Sequence, residues 1–163
     1  VSQMNALLVD EQEFWLSELP NYQRSTVKAM LDDGMDYESA ASAWMSGTVA
    51  TGTAPFSATL GPKVFFDKFL DQLHDFLCTG LNYEEERAAV MSGFKPKQTG
   101  LAATITAAIA PHLGAAPVFL APAIALILCA IGKMSLGAWC QMQTERRASQ
   151  GTGTSTEQEP TEP

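Results

Sequence analysis

His74 stands between Asp71 and Asp75, and an i, i+3 spacing on a helix sets Asp71 beside the imidazole. A carboxylate–imidazole pair can share a proton, which is the first requirement of acid–base chemistry. The surrounding sequence supplies neither a nucleophile nor a second metal ligand, so the spacing predicts a solvated surface pair. His112 precedes a turn in apolar sequence, where an imidazole could sense pH; a hydrogen-bonded structural role is expected instead. Glu84, Glu85 and Glu86 fall in the first turn of a helix, where the helix dipole favours carboxylates without any metal. The three cysteines, Cys78, Cys129 and Cys140, are odd in number and lack metal-ligand spacing. They are expected to be reduced and buried, with Cys129 inside an apolar run. These residues predict no catalytic site, no cofactor or metal, and no small-molecule substrate.

Charge is unevenly spread along the 163 residues. Residues 1–94 carry 14 acids and 5 bases, and residues 95–148 carry 1 acid and 5 bases. The acidic front half would repel phosphate, which argues against nucleic acid as a partner. The first twenty residues are acidic and show no basic leader region, so a cytoplasmic placement is expected.

The elements that must carry these side chains read as helices. Leu7, Leu8, Phe14 and Trp15 fit one face of a helix over 3–18. Pro20 can open a second helix running to Asp33, with Val27, Met30 and Leu31 inward and Gly34 stopping it. Asp36 can cap a third, in which Tyr37, Ala40, Ala41, Trp44 and Met45 share a face. The stretch Leu31–Gly47 then recurs as Leu77–Gly93, with 8 of 17 positions identical at an offset of 46. The stop glycine, the cap position, the tyrosine and the methionine keep one register. This predicts two helical hairpins from a duplicated unit, about 20–47 and 62–93, joined by a loop over 46–61. The helix after Pro62 carries Phe65, Phe66, Phe69, Leu73, Phe76 and Leu77 as a broad apolar stripe, with Lys68, Asp71, Gln72 and Asp75 facing away.

The stretch Gly80–Gly100, GLNYEEERAAVMSGFKPKQTG, resembles the helix-turn-helix segment of sigma-factor-type DNA binders. That resemblance implies a recognition helix next in the chain. The helix that follows begins Leu-Ala-Ala-Thr-Ile and offers no Arg, Asn or Gln to read base edges, so nucleic acid is not expected as a partner.

Residues 115–132, AAPVFLAPAIALILCAIG, hold no charge. With 99–113 before it and the stretch to 147 after it, this run forms an apolar hairpin, 99–147. A helix apolar all round belongs at the centre of a soluble bundle or in a bilayer. Its uncharged part is at the low end of a membrane span, and Pro117 and Pro122 shorten it, which favours the bundle. Lys95 and Lys97 before it, and Lys133, Arg146 and Arg147 after it, suit the alternative of a membrane hairpin inserted permanently or on a signal.

The sequence therefore predicts an all-α fold of six to seven helices, forming a single helical domain over 1–148. Two duplicated hairpins would pack around a central apolar C-terminal helix. Residues 149–163, acidic and almost without apolar side chains, are expected to be disordered. The expected function is a non-enzymatic protein–protein interaction or adaptor module, such as an accessory subunit of a larger assembly. Phe14, Trp15, Tyr22 and Phe56 are its candidate exposed contact residues. The alternative is a membrane-associated protein acting through 99–139.

Overall fold

Pro117 opens the most apolar helix, in the first-turn position where its missing N–H is not needed. Eleven of that helix's residues, including Phe119, Leu120, Pro122–Cys129 and Ile131, are buried. The computed structural model describes residues 2–50 and 62–158, with side chains placed for 3–47 and 63–150. Among the described residues every regular element is helical. They are α1 (Ser2–Leu7), α2 (Gln12–Leu16), α3 (Asn21–Asp32), α4 (Tyr37–Ala50), α5 (Pro62–His74) running into a π-helical turn (Asp75–Thr79), α6 (Glu84–Gly93), α7 (Leu101–Leu113), α8 (Pro117–Met134) and α9 (Leu136–Gln158). The all-α expectation holds, and the described residues carry nine α-helices in place of six to seven.

The extra breaks have identifiable causes. The expected helix over 3–18 divides into α1 and α2 because the backbone between them packs onto α8. A Cβ on Gly132 would lie 2.4 Å from the Val9 carbonyl oxygen, so only glycine admits that approach. The same carbonyl accepts the Trp15 indole N–H at 2.9 Å. The later part of the predicted 99–147 hairpin divides at Ser135, whose φ of +86° ends α8. The amide of Leu136 then donates to Asn5 Oδ1 at 2.8 Å, so α1 helps cap α9. Pro20 precedes α3 as its cap instead of forming its first residue. The backbone of α9 stays helical to Gln158, past Ala148, so 149–158 differ from the disorder expected of their composition; a helix already nucleated extends at low cost. Residues 159–163 lie outside the described residues, as do 51–61 of the predicted loop.

The two similar stretches share two local features and differ in a third. Gly34 and Gly80 both turn left-handed, at φ +99° and +73°, after their helices. Tyr37 and Tyr83 each donate a phenolic hydrogen bond to a glutamine, Gln12 at 2.7 Å and Gln72 at 2.5 Å. Asp36 caps α4 through the Ser39 amide at 2.7 Å. Asn82 instead takes φ +70°, and α6 begins only at Glu84 without a side-chain cap.

Helix α8 packs against α4, α7, α2, α9 and α3. Helix α5 lies across α4, α7 and α9, and Phe65 reaches Phe119 of α8 with ring centroids 5.7 Å apart. The aromatic stripe of α5 is thus covered: Phe65, Phe66, Phe69, Leu73, Phe76 and Leu77 are all buried. Burying each such side chain is worth roughly 1.5–3 kcal/mol. By length and composition α8 is the one helix among the described residues that could cross a membrane, and most of it is buried inside the protein.

Candidate functional site

Helices α5 and α9 run antiparallel along a seam of charge. In order along α5 and its π turn come Asp67, Asp71, His74, Asp75 and Cys78; in reverse along α9 come Gln150, Arg147, Arg146, Thr144 and Cys140. Arg146 pairs with Asp71 at 2.5 Å, and its other terminal nitrogen lies 3.9 Å from Asp67. Arg147 pairs with Asp75 at 2.9 Å and with Asp71 at 3.4 Å. Gln143, buried beneath them, accepts from Arg146 Nε at 2.7 Å.

The seam corrects the placement of His74 and Asp75. Both are buried, where the sequence reading put His74 on the surface and turned Asp75 outward. The π turn adds a residue to the helical repeat and swings Asp75 under α9. Arg147 Nη1 lies 2.9 Å from His74 Nδ1, and Thr144 Oγ1 lies 3.2 Å from His74 Nε2. The Thr144 hydroxyl itself donates to the Cys140 carbonyl. Arginine has only hydrogens to give, so Nδ1 must accept and the Nε2–H must donate to Thr144. Burial and the Arg147 guanidinium hold the imidazole below its ordinary value, so this neutral tautomer is the favoured state. His112 is exposed, its ring 4.8 Å from that of Tyr83.

The seam ends in a covalent bond. Cys78 and Cys140 form a disulfide across a separation of 62 residues, with Cα atoms 5.8 Å apart. This overturns the reading of three reduced thiols, because the antiparallel register places two cysteines side by side. Cys129 is free and buried, and burial pushes its thiol up to about 12.

A second feature lies on the other side of the bundle. A recess of about 200 Å³ opens between the α2–α3 region, α7 and the start of α8. Its walls include Trp15, Leu19, Ala102, Pro117 and Val118, and its one charged lining residue is Glu18. Glu18 Oε2 accepts the Gly100 amide at 3.3 Å, and burial raises the carboxyl above its ordinary value. A larger, polar recess of about 810 Å³ between α4, α5 and α9 is lined by Asp36, Glu38, Ser39, Lys63 and Arg146 among others.

The predicted contact residues separate. Tyr22 is 65% exposed on the first turn of α3. Phe14 is half-buried, its ring edge-on to Trp15. Trp15 is wholly buried and is no exposed contact: its indole has both a hydrogen-bond acceptor and a core to fill. Phe56 lies outside the described residues. Sequence reasoning missed Gln23, Glu18 and the arginine pair. One signal was available for the seam: acids four residues apart on the Phe-rich helix, with arginines and a cysteine at matching intervals near the end of the chain. Nothing in the sequence announces the recess, which exists only once three separate segments meet. Comparison with protein-family models, with curated proteins and with solved structures finds no match to this chain.

Proposed function

We propose that the protein is a non-enzymatic interaction module, an adaptor or accessory subunit, that engages a protein partner over the face containing Tyr22, Val118 and the Glu18 recess. The observation that carries this reading is the exposure of two large apolar side chains, one on the rim of an apolar hollow and one on the adjoining helix α3. Tyr22 is 65% exposed and Val118, on the rim, 54%. The amide of Gln23, the residue after Tyr22, donates to the Val118 carbonyl at 3.0 Å and joins α3 to the start of α8. An aromatic beside a concave apolar patch is the usual anchor of a protein interface. The repeated stretch with its two stop glycines supports a duplicated helical unit as the scaffold of such a module. The Cys78–Cys140 bond favours an oxidising compartment over the cytoplasm.

The alternative reading, a membrane-acting hairpin over 99–139, draws on the length and composition of α8. It would need α8 to leave a site where its apolar surface is already covered. The two readings part in one experiment. A photo-reactive phenylalanine analogue at position 22, in cells of the source, should give one discrete protein adduct, and the same analogue at exposed Glu84 should not. Purified protein should stay at the bottom of a liposome flotation gradient. Flotation with the lipid, and no protein adduct at position 22, would put the membrane reading in its place.

A further inference from the structure

We propose that the Glu18 recess seats a primary alkylammonium group, presented as the lysine side chain of the partner protein. The recess has the shape and chemistry of a slot for an unbranched chain with a cation at one end. Its walls include Trp15, Leu19, Ala102, Thr106, Pro117 and Val118, and among the described residues no basic one lines it. Among the described residues the polar group bonded to Glu18 is the Gly100 amide, at 3.3 Å from Oε2, which leaves Oε1 open. A half-buried carboxylate with no cationic partner beside an apolar hollow complements a positive charge carried on an apolar stem. Lysine is built this way, with four methylenes that lie along apolar surface and an ammonium that reaches past them. The volume suits it too: about 200 Å³ exceeds the roughly 150 Å³ apolar cavity known to hold benzene, and a butyl stem is smaller than that ring's enclosure. Arginine fits less well, since its planar fork seeks two carboxylate oxygens and one of Glu18's is engaged. An ammonium in the slot would also offset the burial that now disfavours the charged carboxylate.

The inference takes from the proposed function only the source of the ammonium, and its test uses free small molecules on the full chain. Two-dimensional nitrogen–proton NMR would follow the Trp15 indole and the Gly100 and Val118 amides during titration with n-pentylamine, 1-pentanol and pentanoate. The amine should give saturable shifts at these groups and bind about tenfold more tightly than the alcohol, the worth of one hydrogen bond to a charged group. Pentanoate should give none. Glu18→Gln should erase the preference for amine while the alcohol still binds. Ala103→Phe, at an exposed lining position, should block both ligands without unfolding the chain. Equal binding of amine and alcohol, an amine preference that survives Glu18→Gln, or no saturable shift with pentylamine would each overturn the inference. A failed titration with an intact cross-link at position 22 removes the lysine and leaves the interaction module. Amine binding without any cross-link does the reverse.

Discussion

Pro122 has no N–H to give the carbonyl of Val118, four residues back, so α8 leaves that oxygen without its helical partner. Gln23 supplies the missing donor through Nε2 at 3.0 Å and is buried to do so. Trp44 donates its indole N–H to the next carbonyl, that of Phe119, at 2.9 Å. Side chains from α3 and α4 thus both bond to backbone carbonyls in the turn of α8 that precedes Pro122. Gln23 Oε1 has no partner of its own, so part of the amide's burial goes uncompensated. Replacing Gln23 with Leu should lower stability by about 1–2 kcal/mol, because it orphans a part-buried carbonyl. In a Pro122→Ala background the cost should shrink, since the new N–H at 122 can serve Val118. Urea denaturation of the four proteins in that double-mutant cycle measures the coupling, and strict additivity would refute the compensation. No sequence pattern links positions 23 and 118; Pro122 itself was the visible clue that some donor had to exist.

The elements differ in how readable they were. Helices α4, α5 and α7 follow from apolar periodicity and from the glycines and prolines that bound them, because those signals act within a few residues. The breaks between α1 and α2 and at Ser135 come from contacts more than a hundred residues away in the chain, Val9 on Gly132 and Asn5 on Leu136, which no local window contains. The α5–α9 seam was misread for the same reason: Asp71, His74 and Asp75 look solvent-facing until two arginines cover them. Within that seam His74 gives a pH signature. The folded protein favours the neutral imidazole, through burial first and then the Arg147 charge, so its folded value lies below the unfolded one. The charged groups that face it are Asp71 and Asp75 from its own helix and Arg146 and Arg147 from α9. On acidification the unfolded chain takes up this proton first. Its stabilising effect is therefore complete above about pH 6.5 and is lost as pH falls below that. The urea midpoint should drop between pH 7.5 and 5.5, and His74→Gln should flatten that drop. An equal drop in both proteins would mean that His74 is not its source.

Over the whole molecule, everything from Pro122 to Cys129 is buried among the chain's own helices, and Val118 at the mouth is exposed. Hydropathy alone made that segment visible but could not tell a protein interior from a lipid one. The choice depends on α2, α3, α4 and α7 having apolar faces to meet it. The surface face with Tyr22 was partly legible, since an isolated tyrosine early in an amphipathic helix stands out. The hollow beside it was not, because its walls come from separate parts of the chain.

The sulfur bridge also gives the chain a mechanical character. Cys78 and Cys140 lie 62 residues apart in sequence, and α6, α7 and α8 are all strung between them. A force applied at the two ends passes through the bond and bypasses that whole span. Pulled in an optical trap, the oxidised protein should lengthen only by the residues outside the loop. Adding a dithiol should release a further extension of about 200 Å, the reach of some sixty residues drawn straight. The most apolar part of the protein would be shielded from the load until the link was cut.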